Sequence, residues 1–418
     1  MIRQWPLLAY SALGLPLAMA MLPVYITAPK YYSDSLGVSL TALGAVLFLT
    51  RLVDTVQDPL IGWLVDRQSR QSRGWLSLMA ISAGVLMLGM AMLFIPPVIE
   101  SMVIWLAVSL LIVYTAHSFL NVCYLTWGAR LTDDPAGRAR VTGWREASGI
   151  IGVVIASVLP LVLVEAFGLR LGMGLFAGSF AAFLFLGLLI TLTGSPRPII
   201  AITRVPLNLS SLMRPTQVRH MYGFYLCNAT AVAIPATLVL FYVDDVLQLQ
   251  GSASMFLAAY FLAGLLTLPF WVKVSDRVGK RQAWTYGSLL ACSALILSLT
   301  LQAGDFRLYL LVCLISGSAL GADLALPPAM LADAIPPGQR MHTGIYFGVW
   351  ALVTKFALAF AAGVTLPLLS LLGYTPGHFE GASALSWLYA GLPLVFKCFA
   401  ALIVWSGFQS SKVGESYS

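Results

Sequence analysis

Asp54 and Asp58 stand one helical turn apart within an otherwise apolar stretch, and Arg51 precedes Asp54 by one turn on the same face. Two carboxylates at that spacing offer hard oxygen ligands to a metal cation, or can share a proton. A single Asp or Arg at the centre of a membrane helix costs roughly 2.5–3.5 kcal/mol on insertion scales, so three on one face call for a polar interior rather than lipid. The same trio could instead form an ion-pair lock between helices, with no ion transported. Lys355 is the lone cation in the apolar run from Ile345 to Phe360. Its simplest partner is the Asp54/Asp58 pair, which would make the charge balance depend on a bound cation; the alternative is snorkelling to an interface. Lys397 interrupts another apolar stretch and can either snorkel or pair.

A second constellation is the helical stripe Tyr114, His117, Ser118, Asn121 and Tyr124, with Trp127 following. Such a stripe can line a hydrated cavity, or its small and polar members can cement helix packing in lipid. His117 taken alone reads as a hydrogen-bonded packing residue, because nothing nearby resembles a metal triad. Arg145 and Glu146 open a further apolar stretch and serve as a cytoplasmic gate or an interfacial anchor. The five cysteines, Cys123, Cys227, Cys292, Cys313 and Cys398, lie singly in apolar surroundings without C-x-x-C spacing, so neither a disulfide frame nor a zinc site is indicated. Asn208 and Asn228 fit the glycosylation pattern, but at expected cytoplasmic and membrane positions. No nucleophile elbow, phosphate-binding glycine loop or metal-ligand spacing supports an enzyme.

The elements that must position these residues follow from composition. Of the 418 residues, 59% are hydrophobic and 10% charged, against about 25% charged in a soluble domain. Apolar runs recur from Trp5 to Trp405, each long enough to cross a hydrocarbon core of about 30 Å as a helix. Windowed reading predicts spans near 5–28, 38–65, 75–97, 101–131, 143–167 and 171–194, and again near 217–246, 252–274, 283–302, 306–333, 343–373 and 385–407. The expected organisation is an all-α membrane protein of twelve transmembrane helices in two pseudo-symmetric bundles. These are 1–194 and 217–407, joined by a central cytoplasmic loop over 195–216 and followed by a tail over 408–418. The first apolar stretch runs past a signal-peptide h-region with no small-residue cleavage site between Leu17 and Pro29, and reads as the first span.

The formal charge of +7 orients the chain rather than pointing to nucleic acid. Arg67, Arg70, Arg73, Arg138, Arg140, Arg197, Arg204, Arg214, Arg277, Lys280, Arg281 and Arg340 sit in every second loop, while the alternate loops hold only Lys30, Arg170 and Arg307. The positive-inside rule then puts both termini and the central loop in the cytoplasm. Two echoes separated by about half the chain mark an internal repeat. Gly62-Trp-Leu-Val-Asp66-Arg67 matches Val-Ser-Asp276-Arg277-Val-Gly279-Lys280-Arg281, and Leu131-Thr-Asp133 with Arg138 matches Leu331-Ala-Asp333 with Arg340. Related six-helix halves are the architecture of alternating-access carriers. Asp66, Arg67, Asp276, Arg277 and Arg281, at helix ends, can make salt bridges and dipole contacts that hold the inward side closed, besides anchoring topology.

With these motifs assembled, the sequence resembles the glycoside/pentoside/hexuronide cation symporter family of the major facilitator superfamily, the group of the melibiose permease. The resemblance covers nearly the whole chain. It rests on Tyr31-Tyr32-Ser-Asp34, on Arg51-Leu-Val-Asp54-Thr-Val-Gln-Asp58-Pro-Leu-Ile-Gly62-Trp63, on Leu131-Thr-Asp133-Asp134 with Arg138, and on Lys355 within Val-Thr-Lys-Phe-Ala-Leu-Ala-Phe followed by Leu-Gly373-Tyr374. The resemblance implies cation-coordinating roles for Asp54 and Asp58, a sodium-binding hydroxyl at Ser118, a coupling lysine at Lys355 and a sugar-contacting arginine near Arg145. It departs at the sugar machinery: Leu17 and Ala18 replace a lysine and an aspartate of the first span, and Asn121 replaces an aspartate of the fourth. Fewer groups then remain to offset desolvation of a sugar's hydroxyls.

The expectation is a monomeric symporter of a bacterial inner membrane. Sodium or a proton would be the coupling ion, with no other cofactor, and a small polar or glycosidic solute would meet Tyr25, Asn121, Tyr124, Trp127, Arg145 and Trp350. A lysolipid or other amphiphile as cargo is the close alternative, because lysophospholipid carriers belong to the same broad family. A non-transporting receptor or scaffold on the same fold is the reading of a different class.

Overall fold

In hydrocarbon the backbone has only itself to bond, and runs of this length and apolarity become helices. The computed structural model describes residues 4–68, 72–129, 131, 135–196, 216–336, 343–377 and 381–407, and among them all regular structure is helical. Most of the central loop (197–215), the C-terminal tail, Asp133, Asp134 and Arg340 lie outside the described residues, as do the side chains of Asp66, Arg67, Arg138 and Arg140. The chain divides into two compact units, Met1–Arg204 and Val205–Ser418.

In the first unit, α1 (Gln4–Ser11), α2 (Gly14–Tyr25) and α3 (Thr27–Lys30) run into a π-helical turn, Tyr31–Ser35, and together make the first span. The remaining spans are α4 (Leu40–Gln68), α5 (Ser72–Phe94), α6 (Met102–Ala129), α7 (Pro135–Phe167) and α8 (Leu169–Gly194). In the second unit, α9 (Thr216–Phe241) ends in a π-helical turn, Tyr242–Val246, and α10 (Ala253–Val278), α11 (Lys280–Ser298), α12 (Phe306–Ala334) and α13 (Thr343–Leu371) follow. The last span joins α14 (Ala382–Ser386), a π-helical turn over Trp387–Gly391, and α15 (Leu392–Gly407). Eleven of the twelve are long and apolar enough to cross a membrane on those criteria alone. The exception, α11, opens on Lys280, Arg281 and Gln282 and takes its place by packing on α10, α12 and α15.

The repeat extends beyond the two loop motifs. Within each unit the second span packs on the fourth, the third on the fourth, the first on the fifth and sixth, and the third on the sixth. Both first spans end in a π-helical turn carrying Tyr and Asp, Tyr31–Ser35 and Tyr242–Val246. Each turn is pinned by a tyrosine hydroxyl to the end of the unit's third span: Tyr32 donates to the Leu93 carbonyl at 2.9 Å, and Tyr242 to the Ser298 carbonyl at 2.6 Å.

The units differ where their second and fourth spans meet. In the second unit α10 and α12 approach through glycines: a Cβ at Gly264 would stand 3.2 Å from the Gly317 carbonyl oxygen and 3.1 Å from Leu320. Small residues at such crossings let backbones close up. In the first unit the corresponding helices, α4 and α6, meet through Asp54 and Ser118.

Candidate functional site

Asp54 is 1% exposed and Arg51 7% exposed, both on the face of α4 that packs against α6. The Ser118 hydroxyl donates to Asp54 Oδ1 at 2.9 Å, and Gln57 Nε2 donates to the same oxygen at 3.3 Å. Thr115, one turn before Ser118, donates its hydroxyl to Gln57 Oε1 at 3.0 Å and so fixes the amide. Arg51 Nη1 reaches Asp54 Oδ2 at 3.3 Å, long for a charge-assisted bond, which is usually about 2.7–2.9 Å. The guanidinium is held back over the Tyr114 ring, 4.5 Å from its centroid, with Met21 Sδ 3.9 Å from Nη1. Asp58 is half-buried one turn further along α4. Asp54 and Asp58 thus bring two carboxylates to this stretch of α4 beside the Arg51 guanidinium, with the oxygens of Ser118, Gln57 and Thr115 close by. That is a donor set suited to a small hard cation or a proton.

Tyr25 and Asn121 are half-buried, at the end of α2 and one turn beyond Ser118 on α6. Tyr124 and Trp127 depart from the expected cavity lining, since each is 1% exposed and uses its polar atom internally. Tyr124 stacks on Tyr10 at 4.5 Å between centroids; its hydroxyl donates to the Tyr10 carbonyl at 3.0 Å, and that of Tyr10 returns to the Tyr124 carbonyl at 3.1 Å. Trp127 Nε1 donates to the Pro196 carbonyl at 2.9 Å. An unpaired buried polar group is costly, so both side chains are committed to holding the fourth span in its unit. His117 packs likewise, with Nε2 3.1 Å from the Leu17 carbonyl oxygen. Arg145 is half-buried and paired with its neighbour Glu146.

In the second unit Trp350 lies flat on Tyr225, 3.3 Å between ring centroids, and the Tyr225 hydroxyl bonds the Thr354 hydroxyl at 2.9 Å. Lys355, the next residue, is half-buried on α13. At the end of α10, Asp276 and Arg277 are exposed, and the contacts there run instead through the two following cations. Lys280 pairs with Asp333 at 2.6 Å, joining the two echo motifs of this unit, while Arg281 donates to the Trp405 carbonyl at 3.0 Å and covers its ring at 4.0 Å.

Sequence reasoning missed Asp323. It is the only charge between Leu308 and Ala332, the same signal that singled out Asp54, and it holds the end of Lys397 at 2.6 Å. Lys397 therefore pairs rather than snorkels. Cys123 and Cys313 are buried, Cys227 and Cys292 half-buried and Cys398 exposed, all as free thiols.

Two six-helix units with matching internal pairings are the architecture of a membrane carrier of the major facilitator class. The chain belongs to the family described as MFS/sugar transport protein, which it matches over residues 7–408. It is similar to the inner membrane symporter YicJ of Escherichia coli (strain K12), 23% identical over 82% of this chain and 77% of that one. It is also similar to the sodium-dependent lysophosphatidylcholine symporter 1 of Xenopus tropicalis, at 22% identity over 87% and 76% of the two chains. Among solved structures, the fold superposes on a bacterial homologue of the human lysosomal transporter Spinster. The TM-score is 0.71 at 15% identity, covering 97% of this chain and 98% of that one.

Proposed function

We propose that this protein is a cation-coupled symporter that moves a small polar or glycosidic solute by alternating access, with sodium or a proton taken up at Asp54 and Asp58. The observation that carries the reading is the buried Asp54 carboxylate, which accepts from Ser118 at 2.9 Å while Asp58 stands one turn away. A bound cation or proton offsets the second negative charge there, with Lys355 proposed as the coupling cation. The changed balance then biases the inward–outward equilibrium, so that net uptake requires both ligands. The symporter names of the relatives and the sugar-transport description of the family support this reading. Asn121, Tyr25 and Arg145 are proposed as solute contacts, and the Lys280–Asp333 and Arg281–Trp405 ties as part of the cytoplasmic closure. The positive-inside pattern supports cytoplasmic termini, and the resemblance to YicJ a bacterial inner membrane, where the protein acts as a monomer.

A second reading, transport of an amphiphile through the same cation site, is favoured by the match to the lysophosphatidylcholine symporter along 87% of the chain. Reconstituted full-length protein under an inward sodium or proton gradient separates the two. The expected result is gradient-driven accumulation of at least one methyl or aryl glycoside from a panel, absent in Asp58→Asn. Accumulation of lysophosphatidylcholine in place of every glycoside would install the second reading, and normal gradient-driven accumulation by Asp58→Asn would remove the mechanism.

A further inference from the structure

Inside the second unit four helices converge on one buried ion pair. Lys397 on α15 is 3% exposed at its side chain and Asp323 on α12 9%, with Nζ 2.6 Å from Oδ2. The same ammonium donates to Asn228 Oδ1 on α9 at 2.8 Å. Asn228 returns its Nδ2 to Asp323 Oδ1 at 3.1 Å, and Trp284 Nε1 on α11 donates to that oxygen at 2.9 Å. Lys397 Nζ also lies 5.9 Å from the centroid of the Trp284 ring. Asn228 is 2% exposed and Trp284 0%.

The Asn228 amide is oriented by this ring of bonds: its oxygen faces the ammonium and its nitrogen faces the carboxylate. A carboxylate oxygen, an amide oxygen and an aromatic face turned on one point form a site for a monovalent cation. Here the point is filled by the protein's own ammonium. We propose that Lys397 is a tethered counter-ion occupying a second cation position, so that the second unit is balanced without an exchangeable ion. Coupling is thereby confined to one cation site in the first unit. Asp54 differs in being met by a guanidinium at 3.3 Å, with a further carboxylate one turn away. The inference stands on the geometry of the second unit, and only its consequence for coupling rests on the function proposed above.

The test is thermal unfolding of purified full-length protein in the Asp58→Asn background, titrated with sodium chloride against choline chloride at fixed ionic strength, and with pH. Removing the ammonium by Lys397→Met should create a response to sodium or to acidification that the background lacks. Adding Asp323→Asn should abolish that response and recover much of the lost stability, because the unpaired carboxylate is gone. A Lys397→Met protein indifferent to sodium and pH, or one whose response survives Asp323→Asn, overturns the proposal. If Lys397→Met does not fold, Asp323→Asn with Lys397 kept gives a second reading. A buried ammonium without its carboxylate is left unpaired, so this variant should lose stability, and adding Lys397→Met to it should recover much of that loss. A double variant no more stable than Asp323→Asn alone would contradict the pairing on which the proposal rests. A residual sodium response in Asp58→Asn alone would count against the first-unit site and leave the Lys397 comparison readable as a difference.

Discussion

Asp54 of the first unit and Asp323 of the second are carboxylates held inside their units and treated in opposite ways. In the first, Asp54 lies between the second and fourth spans, accepts from Ser118 and Gln57, and meets Arg51 at a loose 3.3 Å, with Asp58 adding a second negative charge. In the second, the repeat sets Gly264 where Asp54 stands, and a Cβ there would stand 3.2 Å from the Gly317 carbonyl oxygen and 3.1 Å from Leu320, so that a carboxylate would have to push its neighbours back. The acidic residue has moved to the fourth span of the unit as Asp323, where a lysine pairs with it at 2.6 Å and a tryptophan and an asparagine complete its bonds. Repetition of a fold thus does not repeat its chemistry. In one unit the carboxylate accepts from a hydroxyl and an amide beside a loosely placed guanidinium, and in the other it is tied directly to a lysine.

The comparison can be broken most forcefully by writing the first unit's residue into the second. Gly264→Asp places a side chain against the Gly317 carbonyl and buries a charge without a built partner, and should destabilise the protein by about 3–5 kcal/mol in denaturant or thermal unfolding. Near-neutral behaviour would mean that the α10 and α12 interface can open. In the first unit, Ser118→Ala removes the donor to Asp54 Oδ1. It should weaken the cation response by about 1–3 kcal/mol, roughly 5- to 150-fold in the midpoint of a sodium or pH titration, while Ser118→Thr retains most of it. In the second unit, Trp284→Phe deletes one donor to Asp323 and should lower stability by about 1.5–3 kcal/mol without moving the sodium midpoint. The smallest effect is expected at Tyr124→Phe, about 1 kcal/mol of stability from the lost bond to the Tyr10 carbonyl, again with the sodium midpoint unchanged. A large loss of solute affinity with intact stability would return Tyr124 to the cavity lining.

Much of the fold was legible because hydrocarbon imposes it: length and apolarity of the runs predict spans, and loop cations predict their order. The weakest window, α11, escapes the apolarity criterion through Lys280, Arg281 and Gln282, yet the repeat places it unambiguously. Asp54, Asp58 and Arg51 announce themselves as charges that lipid would reject. Asp323 carries the same signal, but its meaning lies in a partner 74 residues away on another helix, and spacing along one helix cannot show such a pair. Tyr124 and Trp127 share a stripe with Ser118, and only the packing separates them. The hydroxyl of Ser118 turns to a carboxylate, whereas the tyrosine and the indole turn to backbone carbonyls. The π-helical turns after the first and seventh spans were invisible, since Tyr31–Ser35 and Tyr242–Val246 share little beyond Tyr and Asp.

The central claim is that the first unit holds an exchangeable cation at Asp54 and Asp58. Its most direct test is the thermal stability of purified wild type, Asp54→Asn and Asp58→Asn against sodium and lithium at fixed ionic strength, and against pH. A ligand at a hundred times its dissociation constant stabilises by about 2.7 kcal/mol, well within reach of such a scan. Stabilisation of wild type by sodium or by protons, lost in both variants, is the predicted result; identical responses in all three proteins would contradict the claim.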